Sequence, residues 1–324
     1  MSDPVVLVTG AGGYLGAQVV AALAAQQVAC SKVVAVDVRE TPADRRLPGV
    51  EYLVCDVRSP ELTLAVVRSR ADVVVHLASI VTPGRDSDRD FEYSVDVLGT
   101  QNVLQACSAG QVGTIVVSSS GAAYGYHADN PPWIDEDAPI RGNQVFAYSW
   151  HKRLVEEMLA HWRQSHPALK QVVLRIGTIL GETVNNQITA LFEKPRLLAI
   201  RGSDRPFVFI WDQDVVGCIL HAISGGHAGI YNVAGDGALT LHEIAARMGK
   251  TCRVLPAGLL KTALTIGKPL RLTRYGPEQL DFLRYRPVLA NRRLKEVFGY
   301  VPRKTSAEAF ELWRRARGIG PGLT

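Results

Sequence analysis

The sequence predicts a doubly wound α/β fold, in which helices cover both faces of a parallel sheet. Its first half alternates short β-branched runs with longer amphipathic stretches, and the short runs are apolar almost throughout. Continuous apolar runs are typical of strands buried on both faces. A glycine-rich turn also joins the first strand to the first helix, at the edge where such sheets bind their ligands.

The elements of this half follow in regular order. Strands are predicted at Val5–Val8, Val33–Asp37, Tyr52–Cys55, Val73–His76, Thr114–Ser118 and Val172–Arg175. Helices are predicted between them at Ala17–Ala25, Leu62–Arg68, Tyr93–Ala106 and Tyr148–His161. Strands separated by helices favour parallel pairing through right-handed crossovers, so a single large sheet is expected here.

Composition excludes several classes of protein. An apolar fraction of 47% and a charged fraction of 21% indicate a folded chain rather than a disordered one. The net charge of +5 is spread out, and no Lys/Arg run is long enough to predict a nucleic-acid or membrane surface. The densest basic segments, Arg284–Arg293 and Arg314–Arg317, are interpreted as solvated faces or anion contacts.

The five cysteines are single and dispersed, which predicts neither a disulfide framework nor a zinc site and favours a reducing compartment. No metal site is predicted. The first apolar strand begins after four residues, without the pattern of a signal peptide, and apolar runs are too short for a membrane span. A cytoplasmic protein is therefore expected.

The first strand leads into the sequence T-G-A-G-G-Y-L-G over residues 9–16. A glycine triad between a first strand and a first helix allows a tight turn and close approach of backbone N–H groups to a pyrophosphate, which then lies at the positive end of the helix dipole. The segment predicts a dinucleotide-binding Rossmann domain. The candidate cofactor residues here are Gly10, Gly13, Tyr14, Leu15 and Gly16.

Acidic residues end the next two strands. Asp37 ends the second strand, where a carboxylate can accept hydrogen bonds from both ribose hydroxyls of adenosine and would repel a 2′-phosphate. NAD is therefore the predicted cofactor and NADP the less favoured one, although Arg39 could soften that preference. Asp56, followed by Val57, could accept from the adenine amino group; a helix N-cap is the alternative interpretation of Asp56.

Tyr148 and Lys152 lie four residues apart at the start of a predicted helix, so both side chains face the same space. A neighbouring ammonium stabilises a phenolate, which allows tyrosine to act as an acid–base group near neutral pH. Ser120 ends a serine cluster at the carboxyl end of a central strand and could hold the substrate oxygen. These three residues are the predicted catalytic set for hydride transfer at a secondary alcohol or ketone.

The second half predicts a smaller lobe. After about residue 180 the βα rhythm is replaced by a loop-like and helical segment over 182–205. A strand at Phe207–Ile210, a helix at Asp214–Ile223 and a strand at Gly229–Val233 follow, then a capping box formed by Thr240 and Glu243. We expect a Rossmann domain over 1–180 and a substrate-binding lobe over 181–324, which returns to the main sheet at about 207–240.

These motifs resemble the extended short-chain dehydrogenase/reductase family, in its NAD-dependent epimerase/dehydratase branch. Besides those already given, the marks are His76-Leu77-Ala78, Asp96-Val97-Leu98-Gly99-Thr100, Tyr124-Gly125, Leu174-Arg175…Gly181, Asp214-Val215-Val216 and Gly229-Ile230-Tyr231-Asn232-Val233. The resemblance implies the same catalytic set and adds Leu77, Ala78 and Ser79 beside the cofactor. It also implies a homodimer through the helices at Phe91–Ala106 and Tyr148–His161, although other parts of the chain could equally cover them.

The departures from the family concern the substrate and one structural position. Asp96 replaces the usual asparagine of the N-V-x-G-T motif, which puts that residue's helix-kinking or relay role in doubt. Gly121 and Ala122 stand where sugar-nucleotide 4,6-dehydratases carry an Asp-Glu pair, so a dehydratase is not expected. The candidate substrate contacts are Thr82, Tyr124, Thr178 and Arg205, with Arg201 an alternative to Arg205.

Three functions remain open from the sequence. The first is an NAD-dependent oxidoreductase or epimerase acting on a small molecule, with a nucleotide sugar as one candidate. The second is a reductase or dehydrogenase of a less polar substrate of the steroid or flavonoid type. The third is a non-catalytic NAD-binding sensor, against which the complete Ser120/Tyr148/Lys152 set argues. Fold analogy does not decide between the first two.

Overall fold

The computed structural model of the protein describes residues 3–81, 88–225, 227–267 and 279–320. Its strands are β1 (Val5–Thr9), β2 (Lys32–Asp37), β3 (Val50–Val54), β4 (Val73–His76), β5 (Thr114–Ser120), β6 (Lys170–Ile176), β7 (Thr178–Leu180), β8 (Arg196–Ile200), β9 (Phe209–Trp211), β10 (Gly229–Val233) and β11 (Thr251–Leu255). Its helices are α1 (Tyr14–Ala24), α2 (Glu61–Ser69), α3 (Arg89–Tyr93), α4 (Gly99–Ala109), α5 (Ala147–Ser165), α6 (Gln187–Phe192), α7 (Asp212–Ile223), α8 (Leu241–Arg247), α9 (Ala257–Gly267), α10 (Gln279–Arg284) and α11 (Ser306–Ala316).

A seven-stranded parallel sheet in the order β10-β6-β5-β4-β1-β2-β3 forms the centre of the molecule. The chain runs outward from β1 to β3 and then returns to place β4 on the other side of β1. The register pairs Thr9 of β1 with His76 of β4, so their carboxyl ends meet at this reversal. Sheets of this kind bind ligands at such a switch point. The predicted doubly wound fold is confirmed.

Apolar layers cover both faces of the sheet. On one face, Val8 and Leu23 pack with Ile219 of α7 in a fully buried cluster. On the other face, Leu7 packs in a second cluster with Leu104 of α4. Because these strands are buried on both sides, they show the continuous apolar character seen in the sequence.

The predicted strands β1 to β6 are present, with ends that differ by no more than two residues. The helix predicted at Tyr93–Ala106 is different, because a π-helical turn at Ser94–Leu98 separates α3 from α4. A π turn inserts an extra residue into the helix and redirects nearby side chains. Here it lies at Asp96, the position where the sequence departs from its family.

The second lobe contains two strands that the sequence did not indicate. β8 and β11 form a separate parallel pair, although 182–205 was expected to be loop and helix. The expected strand at Phe207–Ile210 is shifted to β9, which pairs with the short β7 outside the main sheet. Among the residues described within about 207–240, only β10 joins the main sheet, beside β6. Short strands paired across such separations have no local signal, because their partner supplies their burial.

An aromatic cluster holds this lobe together. Phe192 packs edge-on against Phe207, Phe209 and Trp313, with ring centroids 5.2–6.1 Å apart. All four rings are buried. The lobe therefore has a core of its own, which joins α6 to β9 and α11.

A buried polar network fixes α5 to the sheet. Glu156 of α5 accepts two hydrogen bonds from Arg175 of β6, at 2.9 and 2.6 Å from Arg175 Nε and Nη2. Ser119 of β5 donates to the same carboxylate at 2.5 Å. The side chains of Arg175 and Glu156 are 4% and 3% exposed. A pair this deeply buried depends on both partners, because either charge alone would be left unpaired in an apolar setting.

We predict that Glu156→Gln lowers the free energy of unfolding by about 3 kcal/mol, because the Arg175 charge would lose its buried partner. Urea denaturation of the purified protein measures the change. The matched control is Glu157→Gln, one residue along α5, where the side chain is 40% exposed and pairs with Arg153. That control should cost less than about 0.5 kcal/mol. Equal losses in the two variants would contradict the assigned role of the buried pair.

Candidate active site

The glycine loop between β1 and α1 is built for close backbone approach. Gly10 has a φ of +70°, and a Cβ at this position would lie 2.6 Å from the backbone nitrogen of Ala78. A Cβ at Gly16 would lie 2.1 Å from the carbonyl oxygen of Gly10. α1 begins after Gly13 with no side-chain cap and no acidic residue in its first turn. Its N–H groups and helix dipole therefore favour an anionic ligand such as a pyrophosphate.

Asp37 lies beside this loop at the carboxyl end of β2 and is 9% exposed. Its Oδ2 accepts from Gly12 N at 2.9 Å, and its Oδ1 accepts from Arg39 N at 3.0 Å. Each carboxylate oxygen can accept a further bond, so both remain usable by ribose hydroxyls. The Arg39 side chain is largely exposed, with Nε 3.5 Å from Asp37 Oδ1.

The remaining predicted cofactor residues lie around the same edge. Leu77 donates from its backbone nitrogen to Thr9 O at 3.1 Å, which ties the β4 end to the glycine loop. Val57 is buried against Gly99, where an added Cβ would lie 2.9 Å from Val57 Cγ2. Asp56 is held by its own loop, with Arg58 Nη2 2.6 Å from Asp56 Oδ2. The alternative N-cap role for Asp56 is wrong, because α2 begins after Pro60.

Tyr14 connects the glycine loop to the second half of the chain. Its hydroxyl donates to Asp212 Oδ2 at 2.5 Å, at the start of α7. Burial and this hydrogen bond raise the pKa of Tyr14 to about 12, so the phenol stays protonated as the donor. Gly181 leaves room for the carboxylate, since a Cβ there would lie 2.3 Å from Asp212 Oδ2. The Tyr14 side chain therefore stabilises the position of the glycine loop through Asp212, and the Tyr14 backbone forms the first residue of α1.

Tyr148 and Lys152 occupy the first turns of α5, at the carboxyl end of β5. Lys152 is 5% exposed, and its Nζ donates to Ser118 O at 3.0 Å. The same Nζ lies 5.6 Å from the centroid of the Tyr148 ring. Within the described part of the chain the Tyr148 hydroxyl has no hydrogen-bond partner. A cation is thus fixed beside an uncommitted phenol, which suits an acid–base role.

Ser120 lies at the end of β5, beside that helix. Its Oγ accepts from Ala122 N at 3.1 Å and leaves its own proton free to donate. The other two serines contact protein atoms: Ser118 Oγ donates to His76 O at 3.3 Å, and Ser119 belongs to the Glu156–Arg175 network. Ser118 thus satisfies a backbone carbonyl, whereas Ser119 bonds to a side chain. Ser120 is thus the serine left available to a substrate oxygen.

Three of the four residues nominated for the substrate lie in the described part of the chain, each in different surroundings. Tyr124 is buried, with its hydroxyl bonded to Arg175, Asn232 and Asp135, so its placement favours a structural role. Thr178 lies on β7 opposite Phe209. Thr82 lies outside the described residues. Arg205 lines a cavity in the second lobe, and its Nη1 donates to Pro131 O at 2.8 Å.

The second-lobe cavity contains a cation that the sequence did not single out. Arg286 lines it, with its guanidinium carbon 3.6 Å from the centroid of the Phe207 ring. Its Nη1 donates to Arg205 O at 2.6 Å, whereas its Nε is buried without an acceptor. Among the described residues no carboxylate pairs with it. Burial lowers the pKa of Arg286 to about 9, which still leaves it cationic at neutral pH.

Arg286 belongs to the basic segment Arg284–Arg293, for which an anion contact was one of two interpretations. Lys194, Arg196 and Arg205 line the same cavity together with one carboxylate, Asp204, so the positive charges of its wall outnumber the negative ones. The half-buried Arg286 donates to the carbonyls of Arg205 and Leu283, but its buried Nε has no acceptor among the described residues, and an anion would supply one. This site is therefore suited to a phosphate-bearing ligand.

Comparison with known proteins decides the family. The model of the NAD-dependent epimerase/dehydratase family matches residues 6–234. The chain belongs to the NAD-dependent epimerase/dehydratase family. NAD is the cofactor of that family, and the chemistry of the residues fits it: the uncapped start of α1 would hold the pyrophosphate and the Asp37 carboxylate would hold the ribose hydroxyls.

Two relatives and one solved structure illustrate the likeness. An uncharacterized protein of Mycobacterium tuberculosis is 27% identical over 320 residues, covering 98% of this chain and 85% of its own length. A UDP-glucose 4-epimerase of Azospirillum brasilense is 34% identical over 185 residues, which cover 56% of this chain and 50% of that enzyme. The UDP-glucose 4-epimerase of Thermus thermophilus in complex with NAD is 24% identical, with a TM-score of 0.72 over 98% of this chain and 100% of that one.

Metal clusters and membrane-spanning helices are both missing from the described residues. In this part of the chain no group of three or more His, Cys, Asp or Glu side chains could hold a metal ion. None of the helices described has the length and apolar character needed to cross a membrane.

We predict that this family member binds NAD about tenfold or more tightly than NADP, because Asp37 would repel a 2′-phosphate. Fluorescence titration with each dinucleotide gives the two dissociation constants. Asp37→Asn should narrow the ratio, whereas Asp44→Asn, which changes an exposed carboxylate, should leave it unchanged. Tighter binding of NADP by the unaltered protein would refute this interpretation of Asp37.

Proposed function

We propose that this chain transfers a hydride between NAD and a secondary alcohol or ketone carbon of a nucleotide sugar, as an epimerase or dehydrogenase. The observation that carries the proposal is the buried Lys152 ammonium, 5.6 Å from the centroid of the Tyr148 ring, whose hydroxyl has no partner among the described residues. Bound NAD would supply the hydride acceptor and donor. The protein's own residues would hold the substrate oxygen and move its proton.

Each of the three predicted catalytic residues has one task in this proposal. Tyr148, as phenolate, takes the proton of the substrate hydroxyl during oxidation and returns it during reduction. Lys152 lowers the energy of that phenolate through its charge, and its bond to Ser118 O keeps the ammonium in place. Ser120 donates a hydrogen bond to the substrate oxygen and so holds it in place. Fixing these groups before the substrate binds contributes to lowering the barrier.

The nucleotide sugar is favoured by the charge of the second-lobe cavity. Arg286 has a buried Nε without an acceptor and no carboxylate partner among the described residues, as expected of a site that a diphosphate completes. A steroid- or flavonoid-like substrate has no group to offset that charge. The named relatives in Azospirillum and Thermus are UDP-glucose 4-epimerases, which makes UDP-glucose the first probe to use.

Dehydration at the neighbouring carbon is not part of the proposal. The positions after Ser120 are Gly121 and Ala122, which have no acid or base. A Cβ at Gly121 would lie 3.1 Å from Leu289 Cδ2, so an apolar side chain occupies the space that a longer residue would need. The complete Ser120/Tyr148/Lys152 set also argues against a non-catalytic sensor.

We predict that Tyr148→Phe lowers turnover of UDP-glucose by about a thousandfold, because the proton-transferring hydroxyl is removed. The dissociation constant for NAD should stay within about threefold of the original, since the ring and its packing remain. Product formation by NMR and NAD binding by fluorescence titration check the two statements. Turnover that survives in the variant, or NAD binding lost together with turnover, would overturn the proposed role.

We predict that Arg286→Gln raises the KM for UDP-glucose about tenfold or more, because a charge-assisted contact to the diphosphate is lost. The control is Arg292→Gln in the same basic segment, where the side chain is 83% exposed. It should leave KM within about twofold, since exposed charges contribute little. Steady-state kinetics of both variants test this prediction. An unchanged KM in Arg286→Gln would contradict the proposal that the diphosphate binds in that cavity.

A further inference from the structure

Asp96 is a buried carboxylate that contacts α5 at His151, the residue before Lys152. It is 3% exposed and stands in the π-helical turn between α3 and α4. Its Oδ1 accepts from Ser79 Oγ at 2.9 Å and from Ile80 N at 2.8 Å. These two donors belong to the segment after β4 that the family places beside the cofactor. Asp96 therefore holds that segment while carrying a negative charge.

The second oxygen of Asp96 faces α5. Its Oδ2 lies 3.4 Å from His151 Nδ1, and His151 itself is 1% exposed. The other ring nitrogen, His151 Nε2, is buried without a hydrogen-bond partner among the described residues. A protonated imidazole would bury an N–H group without an acceptor, so the neutral Nδ1–H tautomer fits this site better. His151 then donates to Asp96 without neutralising its charge.

After His151, Lys152 is the next group that stabilises the charge of this carboxylate. It neighbours His151 on α5, and its ammonium acts on Asp96 electrostatically. Burial acts to raise the pKa of Asp96, but His151, Lys152, Ile80 and Ser79 together hold the pKa below its usual value. The carboxyl is thus ionised at neutral pH, close enough to influence the charge that stabilises the Tyr148 phenolate.

The other titratable and charged groups around the pair have fixed roles. Burial, with a further contribution from Lys152, lowers the pKa of His76 on β4 to about 3, so it is neutral, bonded to Thr9 and Thr100. Glu92 on α3 has an interaction of its own. The Tyr93 ring on α3 packs edge-on against His151, with centroids 5.7 Å apart. Further out, Arg58 donates to Ser94 Oγ, the Tyr126 phenol acts on Tyr148, and Arg286 acts on Tyr126.

We infer that Asp96 is an electrostatic positioning residue. Its negative charge offsets the positive charge of Lys152 and thereby sets the acidity of Tyr148. This inference rests on the proposed function, in which Tyr148 is the acid–base group. A neutral asparagine at this position would keep the contacts to Ser79 and Ile80 but would leave the Lys152 charge uncompensated. The phenolate would then be more stable, and the pKa of Tyr148 would be lower.

The test is a titration of Tyr148 in the NAD-bound protein. Phenolate absorbance is measured against pH, and the same background carrying Tyr148→Phe is subtracted, which isolates this one tyrosine. Asp96→Asn should move the midpoint down by about one pH unit, the size expected for removing one partly screened charge. Asp90→Asn, which removes an exposed carboxylate on α3, should leave the midpoint in place.

A further variant separates the charge of Asp96 from its role in folding. Asp96→Ser provides a second uncharged residue should Asp96→Asn fail to fold. An unmoved midpoint in a folded, uncharged variant would overturn the inference, and so would failure of both variants to fold, since the carboxylate would then be a structural requirement.

The outcome is distinguishable from that of the proposed function. The titration needs NAD but no substrate, so it reports on Asp96 even if UDP-glucose is the wrong probe. Turnover that survives Tyr148→Phe would contradict the proposed function, but the effect of Asp96 on the Tyr148 midpoint would remain valid. Loss of turnover in Tyr148→Phe with an unmoved midpoint in Asp96→Asn would sink the inference alone.

Discussion

The buried ion pair between Glu156 and Arg175 is the interaction on which the site depends most. Tyr148, Lys152 and Glu156 follow one another at four-residue intervals and so share one face of α5. Glu156 is held by Arg175 of β6 and Ser119 of β5, and Lys152 is held by the carbonyl of Ser118. The orientation of α5, and with it the direction of the Tyr148 phenol, is fixed by these contacts to the sheet.

A second constraint acts at the other end of the site, where the backbone rather than side chains forms the binding surface. Gly10 and Gly16 leave no space for a Cβ, so the loop can adopt this path only with glycine. Tyr14 then joins the loop to Asp212 across the two halves of the chain. A second hydrogen bond, from Gln213 to Gln18, joins the same two helices, so the start of α7 is tied to the glycine loop and to α1.

Sequence reasoning predicted the parts of the site that depend on local spacing. The glycine triad, Asp37 and the Tyr148/Lys152 pair are each readable because a strand end or a helix turn places them. Arg286 could not be assigned in this way, since its burial results from packing on Phe207, far away in the chain. β8 and β11 have no local signal for the same reason. The bonds of Tyr124 to Arg175 and Asn232 also leave no local pattern, so the sequence predicts a substrate contact where the structure favours a structural role. Asp96 stands out in the sequence because it replaces the asparagine of the N-V-x-G-T motif. Its contacts to Ser79, Ile80 and His151 can be seen only in the folded structure.

A crystal structure of the Tyr148→Phe protein with NAD and UDP-glucose bound would test the proposed mechanism most directly. We expect the dinucleotide pyrophosphate at the start of α1, the sugar hydroxyl at Ser120 beside the substituted ring at position 148, and the UDP diphosphate on Arg286. Such a complex would place the two ends of one substrate on the catalytic set and on the second-lobe cavity. A nucleotide sugar bound away from Arg286, or with its sugar turned away from Ser120, would contradict the mechanism.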